Sequence, residues 1–119
     1  MQATADVRGV CARLPGSRET FPFDVATLVF KVAGKMYALT DIQADPPTLS
    51  LKVRPEHGEA LRAAHPAVAP GYHLNKRHWI TVTLNGSVPG SLLHELLAGS
   101  HALVVGSLTR AERVALEQS

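Results

Sequence analysis

The stretch TLVFKVAGKMYALTD, Thr27 to Asp41, decides the fold. Apolar and polar residues alternate on both sides of Gly34-Lys35, which predicts two β-strands joined by a tight hairpin. A third run, TLSLKVR from Thr48 to Arg54, alternates even more regularly after a rigid Asp-Pro-Pro turn. Strands that follow one another through short turns pair antiparallel, so the middle of the chain predicts an antiparallel sheet.

Helical patterns flank these strands. Helices are predicted at residues 4–14, 55–64, 89–98 and 100–108 and from Thr109 onward, with a short extended piece at 20–23 and a further strand at 78–84. For 100–108 the alternative is a strand, because Val104 and Val105 are β-branched. Pro55 suits the first turn of its helix, and Gly99 is expected to end the leucine-rich helix before it. The pattern Thr109 to Glu112 is typical of a capping box.

This order of elements predicts an α+β fold, a two-layer sandwich with helices packed on one face of the sheet. Such helices would cover the apolar side of the strands. The side chains on that face are Leu28, Phe30, Val32, Leu49, Leu51, Val53, Ile80, Val82 and Leu84. With 119 residues, no repeat and no linker, the chain is expected to form a single domain, residues 1–119.

Composition indicates the class of protein and the cellular compartment. The hydrophobic fraction of 45% and charged fraction of 18% are typical of globular proteins. No apolar run reaches the roughly 18 residues of a membrane helix, so no membrane association is expected. The single cysteine, Cys11, excludes an internal disulfide and fits a reducing cytoplasm. A formal net charge of +2 favours nucleic-acid binding only if the cations are concentrated on one face.

The best candidate for a binding surface is GYHLNKRHWITVTLNG, Gly71 to Gly86. Within it lie His73, Lys76, Arg77, His78 and Trp79. Charge, an aromatic ring and a strand pattern coincide nowhere else in the chain. This coincidence indicates a surface that contacts a partner, without naming the partner.

Strand alternation extends that surface across the sheet. The residues expected on the uncovered face are Val29, Lys31, Ser50, Lys52, Arg54, Arg77, Trp79, Thr81 and Thr83. This set has four cations and no carboxylate, so it predicts a local basic patch that could neutralise phosphates, with a tryptophan able to stack on a base. The alternative is a solvated face, in which lysine and threonine only keep the sheet in water and Trp79 packs over aliphatic stems.

Signals for catalysis or metal binding are weak. The six histidines form no helical i, i+4 pair, and the chain has no GxSxG, P-loop or GxGxxG motif. Cys11 lies on a helical apolar stripe, which favours packing over ligation. We therefore expect a protein that is not an enzyme and that holds no metal and no cofactor.

Six segments resemble the MmcQ/YjbR family: CARLPG (11–16), FPF (21–23), VFKVAGKMYAL (29–39), LSLKVRPE (49–56), PGYHLNKRHWITV (70–82) and LLHELLAGSHALVV (92–105). The resemblance spans nearly the whole chain in order. It implies an α-β(3)-α-β(2)-α fold similar to type III secretion chaperones, and a DNA-binding role by likeness to the double-wing domain of a phage transcription factor. A Ser-Tyr pair frequent in the family reads Ser100-His101 here.

Three functions are consistent with these features. The first is DNA binding, with a contact set of Lys31, Lys52, Arg54, His73, Lys76, Arg77, His78 and Trp79. The second is a non-enzymatic protein-interaction module, chaperone-like or dimerising, that uses the same sheet face or the helix at 89–98, where Leu93 would be an exposed test position. The third is a small anion bound at the turn from Tyr72 to His78.

Overall fold

The described part of the chain, residues 4–71 and 74–118 of a computed structural model, forms four helices and six strands. The helices are α1 (Thr4–Cys11), α2 (Pro55–Ala64), α3 (Gly90–Gly106) and α4 (Arg110–Glu117). The strands are β1 (Ser17–Thr20), β2 (Thr27–Val32), β3 (Lys35–Asp41), β4 (Thr48–Lys52), β5 (Val68–Pro70) and β6 (Trp79–Thr83).

The strands form one sheet in the order β1-β2-β3-β4-β6-β5, and every neighbouring pair is antiparallel. The α+β class with an antiparallel sheet is therefore confirmed, while the likeness to secretion chaperones stays a prediction. The first edge strand lies at Ser17–Thr20, three residues before the extended piece predicted at 20–23. The strand at Val68–Pro70 has no counterpart among the predicted strands, because three residues are too few to show an alternating pattern.

The β2–β3 hairpin closes through Ala33 and Gly34, which have φ values of 51° and 76°. Two consecutive positive φ angles are the signature of a type I′ turn, whose twist matches that of the strands. The hairpin prediction is confirmed, with the turn one residue earlier than expected. The register of the β2–β3 pair shifts between Phe30 and Lys31. Phe30 lies opposite Ala38 and Lys31 opposite Met36, so Tyr37 is an extra residue on β3.

Helix α3 lies across β2, β3 and β4, α1 packs on α3, and α2 packs beside β5. All nine apolar side chains predicted for the covered face are buried in one cluster. The two-layer arrangement follows directly from this burial, since the helices and the apolar face exclude water from each other. No helix within the described residues is long and apolar enough to cross a membrane.

One continuous helix, α3, replaces the two helices predicted at 89–98 and 100–108. The expectation that Gly99 ends a helix is wrong. Buried side chains continue on one stripe past the glycine, at Ser100, His101 and Val104, and their packing offsets the roughly 1 kcal/mol that a mid-helix glycine costs. Leu93 is also not exposed, since it is buried in the core, so it is unsuitable as a test of dimerisation.

The ends of the helical layer are set by local interactions. Helix α1 ends at Cys11, three residues before the predicted end, and turns carry the chain to β1. The predicted capping box of α4 is confirmed. The Glu112 N–H donates to Thr109 Oγ1 at 3.2 Å, and the Thr109 N–H donates to Glu112 Oε1 at 3.0 Å.

Candidate functional site

The uncovered face of the sheet divides into a basic end and an acidic end. Pairing places Arg18 opposite Lys31, and Lys52 opposite Trp79, near one end of the strands. Asp41 lies opposite Thr27 and Thr48 near the other end. The two ends are about four residues apart along each strand, or roughly 13 Å. The expectation that this face has no carboxylate is therefore wrong, because β3 contributes Asp41 to it.

We define the basic end as Arg18, Lys31, Lys52, Arg54 and Arg77. The first three belong to β1, β2 and β4, and the last two extend the β4–β6 pairing beyond Trp79. That extension is held by a hydrogen bond from the Val53 N–H to the His78 carbonyl oxygen, at 2.8 Å. The fold thus brings together four members of the predicted contact set: Lys31, Lys52, Arg54 and Arg77. It also adds Arg18, which was not predicted because the first extended piece was expected at 20–23.

The cations of the basic end have no acidic partner among the described residues. The ion pairs among the described residues lie outside the basic end. They join Arg8 to Glu19 at 2.9 Å and Lys35 to Glu112 at 4.0 Å. Glu19 is the immediate neighbour of Arg18, but both of its carboxylate oxygens accept hydrogen bonds from Arg8. The positive charge at the basic end is therefore left open to an external anion.

Asn75 organises the turn that leads into β6. Its carbonyl oxygen accepts the N–H groups of His78 at 3.2 Å and Trp79 at 3.0 Å, and its side-chain Oδ1 accepts the Arg77 N–H at 2.9 Å. These bonds leave the Arg77 side chain exposed. Sequence reasoning did not single out Asn75, although asparagine at the start of a turn is the usual signal for such a side-chain bond.

Lys76 is partly engaged by its own loop. Its Nζ donates to the Gly71 carbonyl oxygen at 3.3 Å, while the residue remains exposed. Lys76 therefore stabilises the turn as well as adding charge near the basic end. His73 of the predicted contact set and Tyr72 lie outside the described residues, so the small-anion hypothesis for this turn stays a prediction.

Trp79 packs the turn onto the sheet, with 9% of its surface exposed. The Gly71 N–H donates to the Trp79 carbonyl oxygen at 2.9 Å, and a Cβ on Gly71 would lie 2.6 Å from the Trp79 Cβ. Only glycine permits this close approach. With so little of the ring exposed, Trp79 offers little surface for stacking on a base and acts instead to position Lys52 and Arg77.

Toward the acidic end, the uncovered face contains a groove of about 600 Å³, which we call the open-face groove. Its lining consists of Phe23, Asp24, Thr27, Met36, Leu39, Asp41, Thr48, Ser50, Leu74 and Thr81. The loop between β1 and β2 also exposes Phe21, Phe23 and Val25, with 49%, 70% and 80% of their surfaces accessible. Backbone hydrogen bonds to Asp24 lower the pKa of its carboxyl group, which keeps the rim of the groove negatively charged.

Ser100 ties the basic end to the helical layer. Its Oγ accepts the Lys52 N–H at 2.8 Å and donates to the Tyr37 carbonyl oxygen at 2.5 Å. Extending the β3–β4 register by one pair would place Tyr37 opposite Lys52. The Ser100 hydroxyl therefore bridges the Lys52 N–H and the Tyr37 carbonyl oxygen in place of a direct backbone hydrogen bond between the two strands. Ser100 therefore fixes the backbone from which Lys52 projects.

His101 and the groups around it have a structural role. Its Nε2 lies 2.7 Å from the Pro15 carbonyl oxygen, which only accepts, so Nε2 carries the proton. Its ring meets that of Tyr37 edge-on, with centroids 5.3 Å apart. Burial raises the pKa of the Cys11 thiol to about 11 and also raises the pKa of Tyr37, so both groups are protonated at neutral pH. His101 thus fills an interior position.

Comparisons with known proteins agree with this fold. The YjbR family model matches residues 12–103. The chain belongs to the YjbR family. The predicted resemblance to MmcQ/YjbR proteins is therefore confirmed.

Relatives of this YjbR-family protein cover most of its length. The uncharacterised protein YjbR of Escherichia coli K12 is 36% identical over 108 residues, 91% of this chain and 92% of its own. The uncharacterised protein YbdF of Escherichia coli O157:H7 is 33% identical over 84% of this chain and 82% of its own. The crystal structure of Deinococcus radiodurans protein DR2400 is 61% identical, with a TM-score of 0.94 over 98% of this chain and 89% of that chain.

Proposed function

We propose that this YjbR-family protein binds DNA through the phosphate backbone, with the basic end as the contact surface. The observation that supports this most is the collection of Arg18, Lys31, Lys52, Arg54 and Arg77 at one end of the sheet without acidic partners among the described residues. Such a cluster attracts a polyanion even though the formal net charge is only +2.

The spacing of the basic end suits a backbone more than a single anion. Neighbouring strands lie about 4.8 Å apart, so Arg18 on β1 and Lys52 on β4 are separated by three strand spacings, or roughly 14 Å. A row of this length can contact several successive phosphates. The cations come from strands and turns, and phosphate contacts of this kind position DNA without reading its sequence. The proposed binding is therefore largely independent of the DNA sequence. We place it in the cytoplasm, which the single cysteine fits.

The remaining members of the contact set have supporting roles in this proposal. Lys76 and His78 hold the turn through their hydrogen bonds, and Trp79 anchors it against Gly71. His73, outside the described residues, stays in the contact set on the sequence alone.

Titration of a labelled duplex, followed by fluorescence anisotropy, tests the proposal. Five phosphate contacts predict that log K falls against log salt with a slope of about −4.5, or about 500-fold between roughly 50 and 200 mM. Lys52→Gln should reduce the slope by about 0.9, whereas Arg13→Gln, an exposed cation beyond α1, should leave it unchanged. Failure to bind at low salt, or binding without salt dependence, would refute the proposal.

A second candidate function, protein interaction, is favoured by one observation. Phe21, Phe23, Val25 and Ile42 are large exposed apolar side chains. Phe23 lines the open-face groove, Phe21 and Val25 flank it in the same loop, and Ile42 is joined to the end of that loop by the hydrogen bond from its N–H to the Ala26 carbonyl oxygen. Clustered exposure of this kind marks interaction surfaces. The simplest partner is a second copy of the chain. Light scattering should then detect a dimer that Phe23→Ser weakens, and a strict monomer at high concentration would count against it.

A further inference from the structure

A second cavity, of about 570 Å³, lies between the β4–α2 junction and one side of α3. We call it the junction pocket. Its lining consists of Lys52, Val53, Arg54, His57, Glu95, Leu96, Gly99, Ser100, Ala102, Leu103, Gly106 and Ser107. Its volume falls within the range of about 300–1,000 Å³ that is usual for small-molecule sites.

We propose that the junction pocket binds an organic phosphate of about mononucleotide size. Two permanent cations, Lys52 and Arg54, line it together with His57. Its lining contains one carboxylate, Glu95, which forms no ion pair with them within the described residues. The pocket therefore carries excess positive charge, and a phosphomonoester dianion matches two cations, with the arginine fork able to make paired hydrogen bonds to it.

The opposite wall of the junction pocket suits a flat apolar group. Gly99, Ala102, Leu103 and Gly106 fall at i, i+3, i+4 and i+7 on one side of α3. A Cβ added at Gly99 or Gly106 would meet no heavy atom within 4 Å, so packing inside the protein does not require glycine at either position. Without side chains there, a planar ring can approach the helix backbone while its phosphate lies against Lys52 and Arg54.

The junction pocket and the proposed DNA surface share Lys52 and Arg54, which lie where β4 ends and the open face meets the helical layer, but differ in their other walls. Gly99 lies on α3, in the helical layer, and is not part of the basic end. A leucine side chain at Gly99 would take the space along α3 that the ring is proposed to occupy and leave the cations in place. Substitution at Gly99 can therefore separate small-molecule binding from DNA binding, whereas substitution at Lys52 or Arg54 is expected to affect both.

Adenosine monophosphate and inorganic phosphate are suitable probes, titrated into ¹⁵N-labelled full-length protein. The expected result is saturable shifts of amides at 52–57 and 95–107, with at least about tenfold weaker binding of inorganic phosphate. Gly99→Leu and, as a second pocket-filling variant, Gly106→Leu should abolish binding of the nucleotide and retain the duplex affinity of the unchanged protein. Arg54→Gln should weaken nucleotide binding about tenfold or more.

Gly9→Leu is the matched control, because Gly9 is also an exposed helical glycine with open space around its Cβ position but lies on α1. It should bind adenosine monophosphate like the unchanged protein. The inference is overturned if the amides around the pocket do not respond to millimolar nucleotide. Undiminished binding by folded Gly99→Leu and Gly106→Leu, or equal affinity for inorganic phosphate, would overturn it as well.

Discussion

Replacing Ser100 with alanine removes a buried hydroxyl that joins two strands through a helix. The residue is fully buried, and its Oγ is bonded to the Lys52 N–H and the Tyr37 carbonyl oxygen. Alanine leaves both backbone groups without this partner. A lost hydrogen bond costs about 0.5–1.5 kcal/mol, and a buried group left unsatisfied costs more, so Ser100→Ala should lower the free energy of unfolding by about 2–3 kcal/mol.

Urea unfolding followed through the fluorescence of Trp79 measures this loss, because the chain has one tryptophan and it is buried. For a domain of this size the loss corresponds to a fall in Tm of roughly 8–12 °C. Ser107→Ala is the matched control, since Ser107 Oγ bonds to the Val104 carbonyl oxygen at the exposed end of the same helix. It should cost about 0.5 kcal/mol or less. A loss at Ser100 no larger than that at Ser107 would refute the bridging role.

Three further changes test other parts of the fold. Gly16→Ala should lower stability by about 1–3 kcal/mol in urea unfolding, because Gly16 has φ +69° and its Cβ would lie 2.0 Å from Leu116 Cδ1. Ala33→Asn should raise stability by about 0.5–1 kcal/mol in thermal melts, because asparagine tolerates the positive φ before Gly34 better than alanine. Burial raises the pKa of the Cys11 thiol from 9.0 to about 11, so this thiol ionises first in the unfolded chain. Between pH 9 and 11 it should contribute about 2–3 kcal/mol to a fall in stability to which Tyr37 also contributes, and Cys11→Ala should remove the contribution of the thiol.

Each of these expectations has a contrary outcome. Gly9→Ala, in open space on α1, controls for the added methyl group, and equal effects at Gly9 and Gly16 would contradict the contact with Leu116. A lower Tm for Ala33→Asn would contradict the type I′ turn. A pH profile between 9 and 11 that is the same with and without Cys11 would show that the thiol ionises equally in both states.

The strands and the core were predictable because their signals are local. Alternation at 27–41, 48–54 and 78–84 reports which side chains share a face, and the nine predicted for the covered face are buried. It does not report how much of the other face meets water, since Val29 and Ser50 there are buried as well. The continuity of α3 was not predictable in this way. Gly99 has a low helix propensity, and only the packing of Ser100 and His101 against β3, β4 and the turn before β1 explains why the helix continues.

The candidate site was predictable in part. The alternation placed Lys31 and Lys52 on one face, but the charge of that face also depends on which carboxylates β3 brings to it. The position of Asp41 follows only from the pairing of β3 with β2 and β4. The burial of Trp79 depends on Gly71, eight residues away along the chain, and on a backbone contact that no pattern encodes. Pairing across strands, more than any single motif, determines which cations can act together.

The most direct test of the central claim is a chemical-shift map of the ¹⁵N-labelled protein with a short DNA duplex at low salt. We expect shifts at the amides of the basic end, residues 18, 31, 52–54 and 75–78, that fade as salt is added. The amides of the open-face groove near Asp24 and Asp41 should remain unchanged, because carboxylates there repel phosphate. Shifts confined to the groove, or no shifts at all, would contradict the assignment of DNA binding to the basic end.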